Sequence, residues 1–473
     1  MRRTTTLTAL LLGATLLAPT GGANAVGETC RGEAATIVGA KNQTVTGTDG
    51  RDVIVTNAAA KVDAGAGDDL ICVTAPSMSE GAYIDAAVDA GPGNDVVDAS
   101  GAGSTRLKAV LGAGADEFLG GPSYDVVYGG LLAADGYAGG IDIERDVIDT
   151  AGDIDAITSG TPAPAGQVTT TPNPDVVVGG EGDDSLGVHG PLTAEGRIDG
   201  GGGRDNAGLE VDAATWQVST ATGATRDGVA HSRWTGLESV GIRSVQPGAR
   251  LTVVGGSGED AVSIYGAAAA TYAVDLAAGD DLLELSVAPS TGSSVALGDG
   301  HDRLTTHTER AVVDLSEGVF SLDGSAPSSL TGVEDVFAEG READLTGDDG
   351  DNRLIGGPCS VKLDGRGGND MLYRFPFEGT PPDCVDEPVR LKGGAGKDFL
   401  RASNNDDRLF GGPGRDKLDA RGGDDLLRGG PGRDRLDASS GNDRIFGDAG
   451  RDIGIGSKGR DLCRTEVRKS CER

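Results

Sequence analysis

The chain has 473 residues, 80 of them glycine and only 4% aromatic, with a formal net charge of −33. Glycine loses the most conformational freedom on folding, so ordinary large-cored domains are excluded and some other source of order is needed. The negative field excludes nucleic acid and anionic membranes as partners of the whole chain, and it attracts cations.

Residues 1–25 have the form of a signal peptide. Arg2 and Arg3 precede an apolar run from Leu7 to Ala18, and Ala23-Asn24-Ala25 offers a small-x-small cleavage site. The run is too short to span a bilayer, so a secreted, extracellular chain without a membrane span is expected. Six cysteines in an exported chain suggest disulfides. Proximity along the chain pairs Cys30 with Cys72, Cys359 with Cys384 and Cys463 with Cys471. There is no CxxC and the four histidines are scattered, so no zinc site is predicted.

Residues 26–160 carry glycine-aspartate turns, each followed by an apolar residue two places on. GTDGRDVI places Asp52, AGAGDDLI Asp69, AGPGNDVV Asp95, LGAGADEF Asp116 and GGPSYDVV Asp125. Residues 161–175, rich in proline and threonine, read as a loop or linker. Residues 176–346 hold looser copies at Asp184, Asp205, Asp260, Asp281 and Asp302, several of them 21 apart. That step predicts longer, irregular β-helix coils with one such turn each. Arg250 to Val254 and Ala311 to Leu315 read as short strands. TGLESV (Thr235 to Val240) is echoed by TGVEDV (Thr331 to Val336).

Residues 347–463 are the most regular. GDDGDNRL puts Asn352 where the aspartate is expected, and GRGGNDML places Asp370. A disulfide-tied excursion is expected at 373–388. Over 391–463 aspartates recur every nine residues: Asp398, Asp407, Asp416, Asp425, Asp434, Asp443, Asp452 and Asp461. A glycine stands two places before each, except at Asn405, and an apolar residue two places after in six cases, from Leu400 to Ile445. Residues 464–473 break the register and read as a solvated cap, with Arg464, Arg468, Lys469 and Arg473 facing water.

The unit GGPGRDKLD, Gly411 to Asp419, resembles the repeats-in-toxin (RTX, haemolysin-type) calcium-binding nonapeptide. Cys30 to Val55 resembles the start of secreted bacterial calcium-repeat proteins. The resemblance implies an all-β parallel β-roll or β-helix solenoid, with two nonapeptides per coil and Ca²⁺ between the turns of successive coils. Carried onto this chain, Asp398, Asp416, Asp434 and Asp452 line one edge, and Asp407, Asp425, Asp443 and Asp461 the other. The metal set implied is those aspartates with Gly394, Gly396, Gly412, Gly414, Gly430 and Gly432, and upstream Asp52, Asp69, Asp95, Asp184, Asp260 and Asp370. Ca²⁺ takes six to eight oxygens, which a carboxylate and glycine-rich turn carbonyls can supply. Bare carboxylates about 4.8 Å apart repel by roughly 3 kcal/mol at an effective dielectric near 20, so folding is expected to need the metal.

No HExxH, GxSxG or P-loop occurs. His189, His231, His301 and His307 are expected at the surface, and Trp216 and Trp234 in the core. The expected function is a secreted calcium-binding module, structural or adhesive, with a cell-surface or polysaccharide ligand as the partner class left open. The competing reading is a polysaccharide lyase or hydrolase working on the face between Ala207 and Arg341, with Glu238 and Glu334 as candidate acids.

Overall fold

The computed structural model describes residues 28–75, 84–130, 143–161, 167–244, 246–266, 270–374 and 388–471. The signal segment 1–25, Cys384 and most of the 373–388 excursion lie outside the described residues.

Strands of three to six residues with alternating apolar positions can bury one face only. The chain satisfies all of them by winding. Each coil gives one strand to each of two parallel sheets, which face each other across a thin core. In the first sheet Leu400, Leu418 and Leu436 stand in register. In the second, Leu391, Leu409, Leu427, Ile445 and Cys463 do. The step is 18 residues here and 21 in the middle of the chain, where Ala261, Leu282 and Arg303 are paired. The described residues contain no α-helix.

The inward leucines, from Leu391 to Leu436, are fully buried, as are Ala420 and Ala438 at the corners. One buried leucine is worth about 1.5–3 kcal/mol, and the inward positions form a single continuous cluster from Val45 to Cys463. Both ends are pinned. Cys30 is bonded to Cys72 beside an antiparallel cap, Thr29–Cys30 against Glu33–Ala34. Cys463 fills a leucine position and is bonded to Cys471.

The second sheet is interrupted twice by a three-stranded antiparallel meander. The first consists of Thr215–Ser219, Gly223–Arg226 and Val229–Thr235. The second consists of Arg310–Asp314, Val319–Leu322 and Ser328–Thr331. Each re-enters the parallel stack at both ends: Ile198 pairs with Trp234, Val253 with Val218, Val295 with Leu330, and Val313 with Leu345. The TGLE and TGVE echo marks these two returns. Gly236 and Gly332 lie there at φ 63° and 65°.

Trp216 and Trp234 are buried in the first meander, and their indole N–H groups donate to Asp212 and to the Thr220 carbonyl. His231 departs from the surface expectation. It is buried edge-on against Trp216, bonded to the Ser232 hydroxyl, and burial lowers its pKa to about 4. His301 and His307 lie beside the carboxylates of Asp335 (3.3 Å) and Glu339 (2.9 Å) on the outside.

Candidate metal centre

From Phe399 to Arg464 every strand is entered through a turn that ends on an aspartate, so these side chains stack along two corners. At the corner leading into the first sheet, each backbone N–H donates to the carboxylate of the next coil. Asp398 donates to Asp416 (3.0 Å), Asp416 to Asp434 (2.9 Å) and Asp434 to Asp452 (2.9 Å). At the opposite corner Asp407 donates to Asp425, Asp425 to Asp443 and Asp443 to Asp461. The two sets of aspartates expected on opposite edges therefore stand on opposite corners. Of the upstream residues, Asp184, Asp260 and Asp370 join the first corner. Asp52, Asp69 and Asp95 join the second.

These rows have beginnings and ends. At the first corner one row runs from Asp125 through Asp155, Asp184 and Asp205 to Glu238. A second runs from Asp260 through Asp281 and Asp302 to Glu334. A third runs from Asn352 through Asp370 and the nonapeptides to Asp452, whose N–H donates to Glu466. Each thus ends on a glutamate, whose longer side chain reaches the last amide where the coil geometry changes. Sequence reasoning missed Asp146, Asp155 and Asp175, which stack in the same way but lack the GxGxD pattern. Alternating corners at a coil-length spacing were the one signal for them.

The turns occur in two states. In Asp52, Asp125, Asp260 and Asp407 the second carboxylate oxygen is closed by the amide of the residue four places before, in the same turn. Asn352 closes in the same way through Oδ1. These five residues begin rows. In sixteen other aspartates among the described residues, including Asp69, Asp95, Asp184, Asp370, Asp398, Asp416, Asp425, Asp434, Asp443, Asp452 and Asp461, Oδ2 is buried with no hydrogen-bond partner. In all sixteen turns the residue four places before has positive φ, as at Gly394 (110°), Gly412 (117°), Gly430 (108°) and Arg421 (74°). Its amide has turned away to the next coil, as Gly412 N–H does to the Gly429 carbonyl (2.8 Å). The expected ligands Asp52, Asp260 and Asp407 thus differ from the rest: their second oxygen is already taken.

An orphaned buried carboxylate oxygen costs a few kcal/mol, more when charged. Burial pushes Asp416 up to about 7, against the opposing bond from Asp398 N–H and with help from Asp398 and Asp434. Burial likewise raises Asp443 to about 7 and Asp425 to about 9. A cation would relieve all three. The turn walls suit one: Cβ atoms on Gly412, Gly414, Gly430 and Gly432 would overlap the carbonyl oxygens of Gly394, Gly396, Gly412 and Gly414 in the coil before. Among the described residues no three carboxylate, histidine or cysteine side chains converge on one point. The donor set is therefore one carboxylate with backbone oxygens, which fits a hard cation and not zinc.

Residues 111–131, 170–186, 346–374, 392–427, 419–454 and 428–463 match the four-copy family model of the RTX calcium-binding nonapeptide repeat. These repeats bind Ca²⁺. No curated protein is matched by the chain.

Proposed function

We propose that this chain, an RTX-type calcium-binding repeat protein, is exported and works outside the cell as a non-catalytic structural or adhesive module folded by Ca²⁺. The observation that carries the reading is the pair of buried columns of orphaned carboxylate oxygens. Ca²⁺ would be held by Oδ2 of Asp398, Asp416, Asp434 and Asp452 at one corner and of Asp425, Asp443 and Asp461 at the other, with turn carbonyls such as those of Gly394, Gly396, Gly412 and Gly414. Asp69, Asp95, Asp184 and Asp370 extend the same arrangement upstream. When bound, the ion supplies charge neutralisation. The chain's residues supply the fixed spacing and exclude water. In this reading 1–25 is removed, 26–160 and 176–346 form the less regular coils on either side of the 161–175 loop, 347–463 is the calcium-rich roll and 464–473 the cap.

The candidate acids of the enzyme alternative do not form a hydrolase pair. Glu238 and Glu334 each accept one amide, of Asp205 and of Asp302, in the corner rows. They lie four pairings apart in the first sheet. That is about 19 Å at ~4.8 Å per strand, beyond the ~5–9.5 Å that separates the two carboxylates of a glycosidase. The described residues include no helix long and apolar enough to cross a membrane.

Calorimetry of the mature chain with Ca²⁺, alongside far-UV circular dichroism, tests the proposal. Several cooperative sites with a gain of strand signal are expected. The same strand content in chelator and in calcium would overturn calcium-driven folding.

A further inference from the structure

The charge is unevenly spread. Residues 388–473 hold 19 of the chain's 41 Lys and Arg but 15 of its 74 Asp and Glu, a local charge of +4 within a total of −33. Eight of those acids, from Asp398 to Asp461, are buried in the corners. The surface of this region is therefore more basic than its composition.

The cations are also ordered. On the outer face of the second sheet one column reads Lys392, Phe410, Arg428, Phe446, Arg464. The column beside it reads Arg390, Arg408, Leu426, Arg444, Leu462. None of these ten residues is acidic. Lys392 and Arg428 are paired with Asp364 and Asp448, but Arg390, Arg408, Arg444 and Arg464 have no carboxylate partner among the described residues. Arg390 lies over the Phe410 ring (6.0 Å) and Arg464 over Phe446 (5.5 Å). Leu462 is 46% exposed. The first sheet is less basic over the same coils: its outward Arg401 and Arg435 are neutralised by Asp419 and Asp437, leaving Lys417 over the Phe399 ring (4.7 Å).

We propose that this face of the second sheet, over residues 390–464, docks a linear polysaccharide bearing carboxylate or sulfate groups. The proposal rests on the adhesive reading above and names the surface and the ligand class. Charge complementarity gives the sign of the partner. The first column gives its repeat. Cations and phenyl rings alternate at one strand each, so like groups recur about every 9.6 Å, twice the ~4.8 Å strand spacing. That is comparable with two sugar rings of an extended glycan. A chain with one charge per disaccharide can set anions on Arg408 and Arg444, which stand two strands apart in the neighbouring column, and sugar faces beside Phe410 and Phe446 at the same step. The single-strand step of the columns suits a glycan strand better than a duplex, whose charges lie on two separate backbones.

The test uses the mature chain at fixed calcium, titrated with oligogalacturonate, a sulfated glycosaminoglycan oligosaccharide and neutral dextran, with single-stranded DNA and anionic vesicles as the other polyanions. Tighter binding of at least one anionic glycan than of all the others is expected. Arg408→Ser with Arg444→Ser should weaken it at least tenfold and lower the salt slope, by less than the ~0.7–0.9 per charge that the denser nucleic acids show. Phe410→Ser with Phe446→Ser should weaken it at least tenfold with the salt slope unchanged. Arg415→Ser, on a corner, should leave it unchanged. Equal binding of dextran, preference for DNA or vesicles, no binding at all, or indifference to both double variants would overturn the proposal. Calcium-induced circular dichroism in the same samples reports separately on the calcium reading and on the folding of each variant.

Discussion

The backbone N–H of Asp434 donates to Oδ1 of Asp452 at 2.9 Å, while Oδ2 of the same Asp452 is buried without a partner. One oxygen thus joins two coils and the other is left for an ion. The two roles can be separated by substitution.

Asp434→Asn keeps an acceptor for the Asp416 amide and removes the charge. In chelator at pH 7.5 it should be at least as stable as the parent chain, since a buried like-charge neighbour is gone. In calcium the midpoint of calcium-induced folding should rise at least about tenfold, or ~1.4 kcal/mol. Circular dichroism against free calcium reads both. A lower midpoint would mean that the carboxylate does not face the ion.

Asp407 and Asp425 share a corner but not a state. Asp407 is closed by its own Ser403 amide, and Asp425 is not. Asp425→Asn should remove one bound calcium per chain, and Asp407→Asn none. Metal content after gel filtration in calcium buffer decides it, and equal losses would refute the two-state description of the turns.

Glycine at the same motif position should matter in one turn and not in another. A Cβ on Gly432 would overlap the Gly414 carbonyl oxygen, whereas one on Gly258, in a row-beginning turn, meets nothing within 4 Å. Gly432→Ala should cost more than about 3 kcal/mol and Gly258→Ala less than about 0.5 kcal/mol. Calcium-saturated denaturant unfolding would show the contrast, provided the transitions are two-state.

Acidity should partly replace calcium. The corner aspartates have folded-state pKa values raised from 3.8 to about 6 for Asp434, about 7 for Asp416 and about 9 for Asp425, first through burial. A raised pKa contributes stability that is complete below the unfolded value near 4 and is lost as pH rises through the folded value. The metal-free chain should therefore hold more strand structure at pH 4 than at pH 8, losing most of it between about 6 and 9. A metal-free melting temperature that rises across that window would contradict the assignment. Calcium binding near neutral pH should release protons, which calorimetry in buffers of different ionisation enthalpy detects.

Much of this was legible in the sequence. Nine-residue spacing gave the register of Asp398 to Asp461, and the resemblance to the calcium-binding nonapeptide implied their division between two edges. The 21-residue step gave the longer coils. What remained hidden depends on contacts between coils. Asn405, in place of the usual glycine, set the Asp407 turn apart from that of Asp425, but that Asp407 is closed by its own turn is visible only in the structure. Glu238 and Glu334 read as free acids because their hydrogen-bond donors lie 33 and 32 residues away. Asp155 and Asp175 were invisible because their turns, AGDID and PNPD, lack the paired glycines. The average charge of −33 also concealed a basic face on the last coils.

The glutamates that end the three rows make the solenoid a punctuated structure. A turn that closes on its own amide opens each row, and Glu238, Glu334 or Glu466 shuts it. Between those marks every coil offers the next the same amide and the same carboxylate. A coil gained or lost in one row also lengthens or shortens the row at the opposite corner, since Asp398 and Asp407 belong to the same coil, but the closing glutamates separate it from the rows beyond.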